Sequence, residues 1–396
     1  MDYGRDQQLA IRQAGDWAQT LYKNIFVIGG FAGTGKSTVL SQVLLNMRIG
    51  MYKVAFATYT GKAAIVLRQK GLNAFTLHKL LYNIYIGPSN KPIFKLKNRL
   101  PSNIELIVID EFGMVPDKII RDAASFGIPI LGLGDPGQLP PIYGENSYMK
   151  NADVFLSEVF RQKGDSSLLQ LATDIRNGEN IYRKKYNSDV KIIEYDKFEL
   201  EDMLEYKQVL CGTNATRTFL NMEYRKIKEY DKSVLPLAGE KLMCLVNNFK
   251  EPLTSSDRSG DVELYLVNGL SGYSHVDAWG VSSKVAYTYF RPDFLNISSS
   301  VAMNTKPFYD YYDIVADDLE TANDDMLQYD DSGKIINRFD FGYAITTHKS
   351  QGSEWDSILV MDDCRFFDKE NYVRWLYTSV TRAKKTVTIV KNVKIN

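Results

Sequence analysis

Cysteine is scarce in this chain. The three copies, Cys211, Cys244 and Cys364, are far apart and form no CxxC or Cys/His cluster. That excludes a disulfide scaffold and a zinc site, and fits a reducing compartment. An excess of either charge is also lacking: Lys+Arg and Asp+Glu are equal at 48 each, so any basic surface for nucleic acid must be local. No apolar run is long enough to span a bilayer, and the start, "MDYGRDQQLAIRQAGDWAQ", is polar and helix-like rather than a signal region. There is no long internal repeat and no low-complexity tail. The expectation is a soluble, cytoplasmic protein with no membrane partner, in the host cytoplasm if phage-encoded.

What is present is a chain of 396 residues, 44% hydrophobic, enough for two or three domains with real cores. Short apolar runs, "NIFVIGG" (24–30), "KVAFAT" (53–58), "LIVIDE" (106–111) and "PILGLGD" (129–135), alternate with helix-like segments. Such runs suit strands buried on both faces of a parallel sheet. The βαβ alternation predicts a doubly wound domain whose ligands sit at the carboxyl ends of the strands. A second set, "QVLCGT", "YAITT", "SILVMD" and "TVTIVKN", predicts a second α/β domain. Between about 239 and 340 the pattern changes to short alternating pieces, predicting a small β-rich insertion; its acidic stretch 313–325 reads as a solvated helix or loop. In the first domain, two β-prone pieces flank Gly-Pro-Ser-Asn within 82–97 and predict a hairpin.

"GGFAGTGKST" (29–38) follows a strand and opens a helix, and Gly30, Gly35, Lys36 and Ser37 fill the pattern G-x-x-x-x-G-K-[ST]. In such a loop, here Gly30 through Thr38 with Ala32, Gly33 and Thr34 between, glycines let backbone N–H groups turn toward phosphate oxygens. The helix N-terminus adds its dipole, the lysine reaches the β- and γ-phosphates, and the serine can ligate Mg²⁺. "LIVIDE" supplies the complement: two carboxylates at the end of a buried strand are costly unless a cation or chemistry waits there. Asp110 can hold Mg²⁺, and Glu111 can orient or deprotonate the attacking water. The two motifs predict hydrolysis of a nucleoside triphosphate, with ATP and Mg²⁺ as cofactors. They do not say what the hydrolysis drives.

The order phosphate loop, "IDEFGMVP", "GDPGQLPP" resembles superfamily 1 DNA helicases of the 5′→3′ branch, the RecD/Dda-like group. That resemblance implies two RecA-like parallel-sheet motor domains of the P-loop NTPase class. A pin hairpin at 82–97 is inserted in the first (1–160), and a β-rich, SH3-like insertion (239–340) in the second (161–238 and 341–396). It implies that Gln138 senses the γ-phosphate and that Gln7, in "DQQLAI", reads the adenine edge. "ATYTGKAA" and "AFTLHKLL" resemble the motif that grips single-stranded DNA, which puts Thr60, Gly61, Lys62, Thr76 and His78 on the strand; helix capping by Thr76 and a packed His78 imidazole are the alternative for those two residues. "FLSEVFRQ" gives Arg161 and "SVTRAKK" gives Arg382 as arginine fingers, with "IRNGE" (175–179) continuing the pattern. Asn214 and Arg217 in "GTNATRTFLN" fall near the domain interface, Asn214 toward the nucleic acid. In "AITTHKSQGSEWD", Thr347, His348, Ser350 and Gln351 correspond to DNA-facing positions, and Gly352 and Glu354 to positions approaching the nucleotide. Gly113 departs from the family, which often carries serine there.

The resemblance therefore implies an ATP-dependent helicase, functional as a monomer, acting on single-stranded DNA and single-strand/duplex junctions beside replication or recombination proteins. Three alternatives remain open from sequence: a translocase that displaces proteins or feeds a nuclease without unwinding, a non-translocating NTP switch, and an RNA substrate.

Overall fold

The computed structural model describes residues 3–87, 92–158, 167–248, 252–253, 264–296, 298–312 and 328–393. The first domain is built on a six-stranded parallel sheet. Its order is Ala74–Thr76, Val54–Thr58, Leu106–Ile109, Ile130–Gly134, Ile25–Gly30, Val154–Leu156. Its two faces carry separate cores. Phe26, Ile28, Leu106 and Val108 join one with Trp17, while Val27, Ile107 and Ile109 join the other with Phe112. This is why these strands read as continuous apolar runs and not as alternating ones. The helix Arg5–Thr20 closes one face with Ala10, Ala14 and Trp17, spaced to lie along one side.

The second domain holds a five-stranded parallel sheet, Ala344–Thr346, Gln208–Cys211, Trp355–Met361, Ala383–Lys391, Val190–Glu194. It too is covered on both faces, with Leu210, Ile358, Val360 and Ile389 on one side and Val209, Leu359, Met361 and Val390 on the other. The described residues thus form the two parallel-sheet domains expected. Three short strands escape the sequence pattern: Ala74–Thr76, Val154–Leu156 and Val190–Glu194. The first two are sheet edges of three residues, too short to show a period.

Residues Tyr82–Ile86 and Pro92–Leu96 pair antiparallel as a two-stranded ribbon, with Tyr82 opposite Leu96 and Ile86 opposite Pro92. Between Lys241 and Phe341 the described strands form one eight-stranded, mainly antiparallel sheet, with a further two-stranded pair, Pro252–Leu253 and Leu264–Tyr265. Its core reaches across to the first domain, since Ile65 packs among Leu242, Val267, Phe290 and Phe339. The acidic stretch 313–325 lies outside the described residues.

Candidate nucleotide site and nucleic-acid interface

The phosphate loop follows the strand Ile25–Gly30 and ends at the helix Lys36–Met47. Gly33 and Gly35 have φ of 79° and 81°, the left-handed region that favours glycine. A Cβ on Gly35 would also stand 2.4 Å from Gln7 Nε2. Gln7 is buried, and both ends of its amide are engaged: Nε2 donates to Thr34 O (3.0 Å) and Oε1 accepts from Gly4 N (3.2 Å). The side chain expected at the adenine edge therefore also braces the loop through Thr34. Lys36 Nζ donates to Gly30 O (2.7 Å) and Phe31 O (3.0 Å), so its ammonium lies within the loop's curve. Ser37 and Thr38 are exposed at the helix start.

Asp110 and Glu111 follow the strand Leu106–Ile109, and Glu111 has φ of 51°, an uncommon conformation for a residue with a side chain. Asp110 Oδ1 accepts from Glu111 N (2.9 Å). Burial raises both carboxyls above the usual carboxylate range. Lys36 pulls both back, and Arg382 opposes the rise at Glu111 more strongly than Lys36 does. Lys36, Asp110, Glu111, Asp135 and Arg382 therefore form one electrostatic cluster, although Arg382 belongs to the second domain. Arg382 is buried and lies just past the helix Lys369–Val380, donating through Nε to Thr378 O (3.1 Å) and through Nη1 to Ser353 O (3.3 Å). Arg161 lies outside the described residues.

"GDPGQLPP" is one of the places where the two domains meet. Asp135 is buried; its Oδ1 accepts from Gly137 N (2.9 Å), making the turn. Gln138 Nε2 reaches Asp135 Oδ2 at 3.5 Å, while Gln138 Oε1 is buried with no hydrogen-bond partner among the described residues. Leu139 inserts into the core of the second domain beside Trp375, Leu376 and Tyr377. Its N–H donates to Thr378 Oγ1 (2.9 Å), and its carbonyl accepts from Gln351 Nε2 (3.1 Å). Burying that leucine contributes about 1.5–3 kcal/mol to the seam. Phe31 and Ala32 of the phosphate loop pack against the same core, and the Arg176 guanidinium lies 3.6 Å from the centre of the Phe31 ring. Gly113 belongs here as well: a Cβ would stand 3.3 Å from Asp135 O, so the strand end with the carboxylates touches the turn directly.

The residues expected on the nucleic acid are less uniformly placed. Thr60 and Thr76 cap helices, accepting from Ala63 N (3.4 Å) and Lys79 N (3.1 Å). Gly61 and Lys62 meet the β-rich insertion. A Cβ on Gly61 would stand 2.3 Å from Val267, and Lys62 Nζ donates to Ser271 Oγ (3.1 Å) and lies 5.1 Å from the Trp355 ring centre. Burial lowers the Lys62 pKa. His78 packs between Tyr59, Tyr82 and Phe94 at the base of the hairpin, and burial, with Lys118 nearby, lowers its pKa. Such an imidazole offers no charge to phosphate at neutral pH.

In the second domain, Asn214 is exposed at the start of the helix Asn214–Ile227, while Arg217 pairs with Asp340. Thr347, Ser350 and Gln351 do not face open surface. Thr347 Oγ1 shares a hydrogen bond with Ser379 Oγ (2.7 Å), Ser350 Oγ donates to Thr347 O (2.7 Å), and Gln351 holds Leu139. The physical reason is local: hydroxyls in a four-residue helix close back onto its own carbonyls and neighbours. His348 is half-buried, and burial lowers its pKa. Gly352, with φ of 74°, abuts the first domain, where a Cβ would stand 3.1 Å from Ala63 Cβ and 3.2 Å from Thr60 Oγ1. Glu354 is exposed and pairs with Lys384 at 4.0 Å. Arg176 lies inside a motif read from sequence, and Tyr377 and Thr378 immediately precede another, but nothing in their residue types marked them as seam contacts.

Fold and site together define a two-domain P-loop NTPase with its phosphate loop at the domain seam. A family model described as an AAA domain matches residues 3–196, and one described as a UvrD-like helicase C-terminal domain matches residues 341–390. By these matches the chain is similar to RecD/Pif1-like helicases of superfamily 1. It is 25% identical to the ATP-dependent RecD2 DNA helicase of Deinococcus radiodurans, over 95% of this chain and 48% of the relative. It is also 25% identical to the ATP-dependent DNA helicase Pif1 of Campylobacter jejuni, over 95% of this chain and 90% of the relative. It thus spans about half of RecD2 but nearly all of that Pif1. Pif1 helicase from Bacteroides, in complex with ADP-AlF3 and single-stranded DNA, shares the fold with TM-score 0.53 at 18% identity, covering 100% of this chain and 94% of that one.

Proposed function

We propose that the chain is an ATP-dependent DNA helicase of the 5′→3′, Dda-like branch, which tracks on single-stranded DNA and separates the duplex ahead of it. The observation that carries the reading is the seam. One short turn, Asp135–Leu139, follows the strand beside the phosphate loop, and the second domain holds its last residue from both sides through Thr378 and Gln351. A change at the phosphates is thereby a change at a domain boundary, which is what a motor needs. The similar proteins named as ATP-dependent DNA helicases support the same conclusion.

In this reading ATP lies between the domains. Phosphate oxygens take the Lys36 donors that now go to Gly30 O and Phe31 O. Glu111 orients the attacking water and takes its proton; the burial that raises its pKa makes it a better base than an exposed carboxylate. Arg382 stabilises the charge that develops on the transferred phosphoryl group. Mg²⁺ suits the donors present. Ser37 is exposed, Asp110 keeps one oxygen without a partner among the described residues, and no group of three or more His, Cys, Asp or Glu there could cage a metal alone. Ser37 and Asp110 would hold the ion together with phosphate oxygens, where it neutralises phosphate charge.

The hairpin 82–97 is the proposed wedge, since Tyr85, Ile93 and Phe94 stand exposed on its strands, and stacking on bases suits the two aromatic side chains. Two assays on one preparation test the reading: ATP turnover with and without single-stranded DNA, and displacement of a tailed duplex strand. DNA-stimulated turnover with strand displacement, both lost in Lys36→Ala, is expected. Stimulated turnover without displacement would reduce the protein to a translocase, and stimulation by RNA alone would overturn the substrate.

A further inference from the structure

The buried Tyr377 carries contacts to the phosphate loop and to the Asp135 turn that the proposed function does not use. It projects from the helix Lys369–Val380 of the second domain and is 1% exposed. Its hydroxyl accepts from Ala32 N (3.0 Å), inside the phosphate loop, and donates to Asp135 Oδ2 (2.8 Å), at the head of the turn. The direction of both bonds is fixed by chemistry, because an amide N–H only donates and a carboxylate only accepts. The same Asp135 carboxylate holds Gly137 N through its other oxygen. Gly137 lies against the tyrosine ring, where an added Cβ would stand 3.0 Å from Tyr377 Cε1. One residue further along the helix, Thr378 accepts from Leu139 N. A continuous chain of donors therefore runs from the loop amide, through a second-domain hydroxyl, into the turn that carries Gln138.

We propose that Tyr377 is a positioning residue that couples the γ-phosphate end of the loop to the Asp135–Leu139 turn, so that nucleotide state and grip on the nucleic acid change together. The proposal rests on the helicase reading above. Amides of a phosphate loop are the donors that cradle phosphate, so phosphate and the Tyr377 hydroxyl compete for Ala32 N–H. When phosphate takes that amide, the hydroxyl keeps only Asp135, and the balance of bonds on the turn shifts. Burial holds the phenol far above its ordinary pKa, so the hydroxyl keeps its proton throughout the working range.

Tyr377→Phe removes the hydroxyl and keeps the ring in the core; Gly137→Ala keeps the hydroxyl and displaces the ring. The experiment measures affinity for labelled single-stranded DNA in the presence of ADP and of a non-hydrolysable ATP analogue. It also measures nucleotide affinity, and KM and kcat for ATP with saturating DNA. In Tyr377→Phe, ADP affinity should stay within about twofold and KM for ATP should not rise. The ratio of the two DNA affinities should shrink by at least about fivefold, the lower end of ordinary coupling, and kcat should fall about tenfold. Gly137→Ala should move the ratio in the same direction. A ratio within about twofold of the unsubstituted protein overturns the proposal and leaves the helicase reading standing. A parallel loss of ADP affinity and DNA affinity also overturns it, because that is what a purely structural tyrosine gives. An unsubstituted protein whose DNA affinity ignores the nucleotide overturns both.

Discussion

Glu111 sits where opposing effects meet: burial favours its neutral form, and Arg382 and Lys36 favour its charged one. Glu111→Gln keeps the shape and removes the base, so nucleotide affinity should hold while kcat falls by about 10²–10⁴. Arg382→Ala should also leave nucleotide affinity largely intact and lower DNA-stimulated turnover by about 10³ or more. Single-turnover hydrolysis beside equilibrium nucleotide binding separates the two effects. The histidines make a different prediction. His78 and His348 are held neutral by burial, with pKa values below the ordinary 6.5. Below about pH 6.5 the unfolded chain therefore takes up protons that the folded chain does not, and stability falls on acidification. His78→Phe should flatten part of that slope in melting temperature against pH. At this scale the motifs made much of the nucleotide site legible: Lys36, Glu111 and Arg382 act on one another as their residue types imply. The hydroxyls of Thr347 and Ser350 were not legible, because a threonine or serine that faces a ligand and one that closes its own helix have the same letters.

The element that changes most between sequence and structure is the helix Gly61–Gln69. As sequence it reads as a grip on the strand; as structure it is also a platform for the β-rich insertion, with Ile65 in that insertion's core and Gly61 against Val267. No periodicity reveals such a contact, since it depends on a segment some two hundred residues away. Gly61→Ala should force Val267 aside and cost about 1–3 kcal/mol, the usual cost of overpacking, read as a lowered melting temperature. The hairpin was more legible, because a Gly-Pro-Ser-Asn break between β-prone pieces admits few alternatives. Removing residues 85–93 should preserve turnover stimulated by single-stranded DNA and abolish strand separation. Unwinding that survives the deletion would place the wedge elsewhere.

For the whole molecule, the doubly wound pattern gave both sheets away, since strands buried on two faces leave apolar runs that no surface strand shows. How the domains close on one another is a matter of a few atoms, among them Leu139 in a foreign core and Gln351 on its carbonyl. In the proposed reading those contacts join the site of hydrolysis to the track, and the central claim is that they drive directional strand separation. The most direct test is unwinding of two duplexes identical except for a 5′ or a 3′ single-stranded tail, with ATP supplied. Separation of the 5′-tailed duplex alone, abolished by Lys36→Ala, is the expected result. A strict preference for the 3′ tail, or ATP hydrolysis with neither duplex separated, would contradict it.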